Sequence, residues 1–149
     1  VGQIELADRC HRSNEGTRLG KFLKQHESDL SDQHSKLKDV IHKVGGTDGI
    51  ESKVKQGAAW FAEKLGRFKL NDSLFTYSSL SRVVELETLA AAAQERVALW
   101  DSLATVAEGD RRLKSFDFIA LRDQSKKHLQ RLNSRRRRAA VAAFVVEEE

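Results

Sequence analysis

Apolar residues recur at helical spacing along most of the chain. Between Asn14 and Val44 they fall at Leu19, Phe22, Leu23, Leu30, Leu37, Val40, Ile41 and Val44, the i, i+3, i+4, i+7 series of one helix face. The spacing predicts a helix over 14–44, a rod of roughly 45 Å, whose stripe passes through His26 and close to Gln33 and His34. Gly45-Gly46 stops it, because glycine just past a helix takes the left-handed conformation that a Cβ resists. Thr47 or Asp48 opens a second helix to Leu65, with Asp48 and Glu51 as a carboxylate form of the capping box. Ile50, Val54, Ala58, Phe61 and Leu65 make its stripe, with Trp60 beside it and Gly66 at its end.

Residues 67–77 form the longest connection. Phe68, Leu70, Leu74, Phe75 and Tyr77 make it too apolar for a solvated linker, and Asn71-Asp72-Ser73 is a turn signal. Ser78 or Ser79 caps a third helix over 79–107, with inner positions Val83, Leu86, Ala90, Ala93, Val97, Trp100, Ala104 and Ala107. The small run Leu89–Ala93 suits close approach of a neighbouring helix. Ser115, with Asp117 in the first turn, starts a fourth helix at Phe116 that runs to Val145. Its stripe reads Phe118, Leu121, Ser125, His128, Leu132, Arg135, Ala139, Ala142 and Val146. Residues 1–13 are weakly periodic and read as an irregular or short-helical lead-in, and Glu147–Glu149 as a frayed acidic tail. The pattern predicts one all-α domain over 1–149, an antiparallel four-helix bundle with its longer connection between the second and third helices.

Composition sharpens this. There is no Pro in 149 residues, where ordinary usage would place roughly seven, so every predicted break falls on Gly, Ser, Asn or Asp and the helices can run long. One Cys excludes an intramolecular disulfide framework and a Cys-rich zinc site, and fits a reducing, cytoplasmic setting. No apolar run reaches the roughly 20 residues of a membrane span. The chain holds no Met, which predicts N-terminal processing or truncation. The net charge of +4 is local: residues 113–149 carry nine Lys/Arg against five Asp/Glu, and the preceding residues balance.

The segments KFLKQHESDLSDQHSKLKDVIHKVGG (21–46) and SLSRVVELETLAAAAQERVALWDSL (79–103), with the long connection between the second and third helices, resemble the small ferritin-like bundles of bacteria. The resemblance implies a fold. A di-iron carboxylate site of that kind takes Glu-x-x-His from each of two helices, and this chain departs from it: Leu23, Ser31 and Ser125 stand where Glu would precede His26, His34 and His128. The family's metal residues therefore do not carry over.

Three readings of function follow. The first is a protein without a catalytic site or cofactor that acts by packing against partners, a second copy of itself foremost. The apolar end Ala139–Val146 serves there as core or as an oligomer contact. The second is a divalent-metal site of divergent type using His26, His34, Glu87 and His128. His26 and His34 are about 12 Å apart along one helix and cannot share an ion, so one of them would pair with His128 or with Glu87, which borders the inner stripe. The third is an anion or nucleic-acid surface on Arg131, Arg135, Arg136, Arg137 and Arg138, which could track phosphates. It is less favoured, because Arg stems also cover bundle ends and no aromatic residues interleave. Two other features have ordinary readings: Cys10-His11 as a plain thiol beside a histidine, and Gly45–Gly49 as a helix stop followed by a helix start. No serine lies in a Gly-x-Ser-x-Gly elbow.

Overall fold

The computed structural model describes residues 2–44, 56 and 77–145. Within them lie four α-helices: α1 (Gly2–Ser13), α2 (Arg18–Lys43), α3 (Ser79–Gly109) and α4 (Phe118–Phe144). A 3-10 turn, Arg111–Leu113, joins α3 to α4, and no strand occurs among the described residues. Apart from Gln56, which is helical and exposed, the predicted helix over 48–65 with Trp60 and Phe61 lies outside the described residues, as do the connection before Tyr77, the glycine stop at Gly45-Gly46 and the Glu147–Glu149 tail.

The segment read as a lead-in is a 12-residue helix that buries Leu6, Ala7 and Cys10. Asn14 closes it and makes the predicted helix start at 14 too early. The buried Asn14 side chain donates from Nδ2 to the Cys10 carbonyl at 2.8 Å, which satisfies an end carbonyl of α1. Gly16 turns the chain at φ +78°, and Thr17 caps α2, its Oγ1 accepting from Gly20 N at 3.0 Å. At the other loop, Asp117 is itself the cap of α4, its carboxylate accepting from Ala120 N at 3.0 Å. The helix therefore begins at Phe118 rather than Phe116, and Leu113 in the 3-10 turn is buried beneath it. Ser78 caps α3 in a reciprocal box with Ser81.

The most extensive packing joins α3 to α4, while α1 lies against α2 and α3. Two apolar clusters result. One gathers Leu6, Ala7 and Cys10 of α1, Leu23 and Leu30 of α2, Val83 to Ala93 of α3, and Leu132 and Ala139 of α4. The other gathers Val40, Trp100, Leu113 and Phe118, with Leu37, Leu103 and Leu121 around them. The predicted inner stripe of α3 needs correction. Glu85 and Arg96 are buried, whereas Glu87 is exposed and Val97 is only half-buried.

Candidate functional site

Between the two apolar clusters, three helices each turn polar side chains inward at the same level: His26 and Gln33 from α2, Arg96 from α3, and Ser125 and His128 from α4, all buried. On α4 the order Phe118, Ser125, His128, Leu132 makes the sequence of layers plain. Buried polar groups of this kind are costly unless bonded.

Its first half is closed. Gln33 Nε2 donates to Gln124 Oε1 at 2.7 Å and to Ser125 Oγ at 3.1 Å. Trp100 Nε1 donates to Gln33 Oε1 at 3.1 Å. The Ser125 hydroxyl donates to the Leu121 carbonyl at 2.9 Å. All five side-chain polar atoms of this knot find partners, which ties α2, α3 and α4 together.

The second half is a chain. Gln25 Nε2 donates to Asp29 Oδ1 at 2.9 Å, and Asp29 Oδ2 lies 2.9 Å from His128 Nε2. On the far side, Arg96 Nη2 faces His128 Nδ1 at 3.5 Å, and Arg96 Nη1 donates to Gln3 Oε1. The guanidinium has no acceptor, so Nδ1 must offer its lone pair, and the carboxylate has no proton, so Nε2 must carry the hydrogen. His128 is therefore a neutral imidazole in the Nε2–H tautomer. Burial lowers its pKa, Asp29 opposes that shift, and Arg96 adds to it.

His26 sits beside this chain. Its ring stacks on Phe22 at 5.6 Å and meets His128 edge-on at 4.6 Å. Burial, with repulsion from His128 and Arg96, holds its pKa down at about 3. Among the described residues neither His26 ring nitrogen nor Arg96 Nε has a hydrogen-bond partner. Burial also lowers Arg96, to about 10, which leaves it cationic at neutral pH.

The structure thus brings His26 and His128 together but not the other two residues of the predicted metal set: His34 is half-buried toward the surface and Glu87 is exposed. Among the described residues no three His, Cys, Asp or Glu form a group able to hold a metal. The neighbour at the two rings is a guanidinium, which repels a cation, and His128 Nε2 is already committed to Asp29. Sequence reasoning misses Arg96. Its only local signal is a charge one position before the apolar Val97 in an otherwise apolar register.

A pH dependence follows. Both histidines have folded pKa values below the unfolded value near 6.5, so below that pH the unfolded chain takes up protons that the fold refuses. The His26 contribution is complete above pH 6.5 and is lost as pH falls toward 3, at up to about 1.4 kcal/mol per pH unit, and His128 adds a loss of the same sign. Urea midpoints are expected to fall between pH 7 and pH 5, and His26→Leu should flatten that fall. Equal midpoints at both pH values in the wild type would contradict the neutral-belt description.

The predicted basic track is divided. Arg135 packs its guanidinium 3.8 Å over the Phe22 ring, a cation–π contact, and donates to the Arg131 carbonyl at 3.3 Å. Burial lowers its pKa, with Arg138 and Arg131 adding to the shift. Arg136 donates to Asn133 Oδ1 at 3.3 Å and is half-buried, while Arg131, Arg137 and Arg138 are exposed. Beyond them, α4 turns three of its alanines inward and its large apolar residues outward, and Ala142, predicted on the inner stripe, is exposed. Ala139, Ala140 and Ala143 pack on the core, but Val141, Phe144 and Val145 are 60%, 68% and 62% exposed.

A further polar cluster has no counterpart in the sequence pattern. Glu85 is buried and pairs with Arg9 at 3.0 Å, and Tyr77 Oη donates to Glu85 at 3.4 Å. Asn14 Nδ2 also donates to Tyr77 Oη at 2.9 Å, and Arg82 Nε donates to Asn14 Oδ1 at 2.7 Å. This cluster pins Tyr77 and α3 to the end of α1. Cys10 beside it is fully buried, and burial raises its thiol pKa, with the Glu85 charge adding to the effect. It is a packing residue rather than a nucleophile. His11 turns away, donating from Nδ1 to the Gly20 carbonyl at 2.9 Å.

The described residues define an all-helical protein whose helices pack through two apolar clusters and an intervening polar belt. No helix among them is long and apolar enough to cross a membrane. No protein-family model, curated protein or solved structure matches the chain.

Proposed function

We propose that the protein is a non-catalytic helical-bundle interaction protein that associates with a second copy of itself through the C-terminal end of α4. The observation that carries this reading is the inverted face of that helix: Ala139, Ala140 and Ala143 toward the core, Val141, Phe144 and Val145 toward solvent. These three stand at i, i+3 and i+4, so they form one stripe on one side of the helix. A contiguous exposed apolar stripe on a small protein marks a contact surface. A second copy is favoured by the charges on either side of the stripe in the sequence, Arg135–Arg138 before it and Glu147–Glu149 after it. Two such helices related by a twofold axis would meet through the same stripe on each copy.

The scaffold behind this end is proposed to be ferritin-like in connectivity, with one long crossover. Contacts between α3 and α4 pair Asp101 with Arg122 and Arg96 with His128. Contacts between α2 and α4 pair Gln33 with Gln124, Asp29 with His128 and Phe22 with Arg135. In both series one number rises as the other falls, which supports antiparallel packing in each pair. α2 and α3 then run in the same direction, as two helices joined by a long connection do in such a bundle. The resemblance does not extend to a di-iron centre, since the interior belt carries Arg96 where such a site needs carboxylates.

Phe144→Glu tests the reading, because the site is exposed and the substitution leaves the core untouched. Light scattering on the full chain is expected to give a dimer for the wild type and a monomer for the variant, with unchanged helical circular dichroism. A wild type that stays monomeric, or a variant that still dimerises, would remove the α4 end as the contact.

A further inference from the structure

Among the described residues, no carboxylate hydrogen-bonds the guanidinium in the polar belt. Arg96 is only 7% exposed, and burying a guanidinium costs several kcal/mol unless it is paired. Among the described residues its acceptors are the Gln3 side-chain oxygen and the His128 Nδ1 lone pair, both neutral, and its Nε–H has none. The belt's one carboxylate, Asp29, is separated from it by the His128 ring, and its oxygens are engaged by His128 and Gln25. The other charged groups near the two rings are Arg131, which repels His128, and Arg135, stacked on Phe22. Neither supplies negative charge, and the carboxylate that does act on Arg96, the exposed Glu95 next to it in α3, favours its charge without bonding it.

His26 adds an independent observation. It is 1% exposed, and neither ring nitrogen has a partner among the described residues. A neutral imidazole always carries one N–H, so His26 adds a second free donor to the one on Arg96. The local charge is positive and the spare groups are donors, which is the reverse of what a metal ion requires.

We propose that Arg96 and His26 form a buried site for a small monovalent anion of the halide type, held by the Arg96 Nε–H and one His26 ring N–H. A monatomic anion suits this site because it takes donors from any direction. A phosphate or carboxylate would bring further oxygens into a belt that offers two free N–H groups. Binding would neutralise the buried guanidinium and favour proton uptake by His26, so anion affinity should rise as pH falls.

The test is thermal unfolding of the full chain at pH 7 and constant ionic strength, with chloride replacing gluconate. The melting temperature is expected to rise saturably, by about 3 to 5 °C once chloride reaches roughly ten times its dissociation constant. Arg96→Gln and His26→Leu should each abolish the rise, while the double variant Arg137→Gln, Arg138→Gln should retain it. His26→Leu keeps the site apolar and well filled, so it decides the matter if Arg96→Gln fails to fold. No chloride-specific rise in the wild type, or a rise that persists in His26→Leu, would overturn the proposal. Crystals grown in bromide give a second readout: an anomalous peak between Arg96 and His26 is expected, and a water there without bromide would overturn it.

Discussion

Trp100→Ala is expected to lower the unfolding free energy by about 4 kcal/mol. Trp100 is almost fully buried, and its ring stacks with Phe118 at 6.1 Å, which in turn stacks with Phe116 at 5.6 Å. It is the largest fully buried side chain among the described residues, and it fills the second apolar cluster directly beneath the polar belt. Alanine would remove that volume from a layer fixed by three helices, which cannot collapse around the loss. It would also take away the Nε1–H that satisfies Gln33 Oε1. Trp100→Phe separates the two contributions: it keeps most of the ring and loses only the donor, for an expected cost of about 1 to 2 kcal/mol. Urea unfolding measures both. A Trp100→Ala cost below about 2 kcal/mol would mean that the second cluster is not organised around this ring.

The second large effect is expected at Gly20, in the first turn of α2. A Cβ built there would lie 2.2 Å from the Asn14 carbonyl oxygen and 2.9 Å from its carbon. Both are backbone atoms of the turn between α1 and α2, so no side chain can move aside to relieve the clash. Gly20→Ala must prise α1 from α2, and α1 carries Leu6, Ala7 and Cys10 of the first core. The expected cost is about 3 kcal/mol or more, seen as a lowered melting temperature. Gly109→Ala is the control. A Cβ at Gly109 would meet nothing within 4 Å, and the φ there is not positive. Alanine at that position should therefore stabilise by roughly 0.5 to 1 kcal/mol through helix propensity. Equal effects at the two positions would contradict the close α1–α2 turn.

Much of this architecture is legible in the sequence, and the failures share physical causes. The α2, α3 and α4 stripes follow from apolar spacing, because long helices repeat the 3.6-residue signal often enough to be unmistakable. The α1 helix is short, and its buried face is Leu6, Ala7, Cys10 and Asn14. Small and polar residues carry little hydrophobic signal, so the face leaves only a weak trace. Helix starts slip by two to four residues where several capping types stand in a row, as with Ser115 and Asp117, and geometry alone decides which side chain meets an amide.

The candidate site is half legible for a related reason. His26 and His128 lie on apolar stripes and can be singled out, and the structure places their rings in contact. Periodicity excludes charged residues from the inside by assumption, so it passes over Arg96 and Glu85 and points to Glu87 instead. Each buried charge sits inside because of tertiary partners: Glu85 because of Arg9 and Tyr77, Arg96 because of Gln3 and His128. Arg9, Gln3 and His128 are 76, 93 and 32 residues away, a separation that local pattern cannot see. The same limit applies to Val141, Phe144 and Val145, whose apolar character is plain in the sequence while the side of the helix they occupy is not.

The functional account rests on that outward stripe. Sedimentation equilibrium of the full chain over a hundredfold range of concentration, at neutral pH and moderate salt, tests it most directly. The account predicts a reversible monomer–dimer equilibrium whose mass approaches twice the 16.8 kDa of one chain and that Phe144→Glu shifts to monomer. A single mass of one chain at every concentration would contradict it.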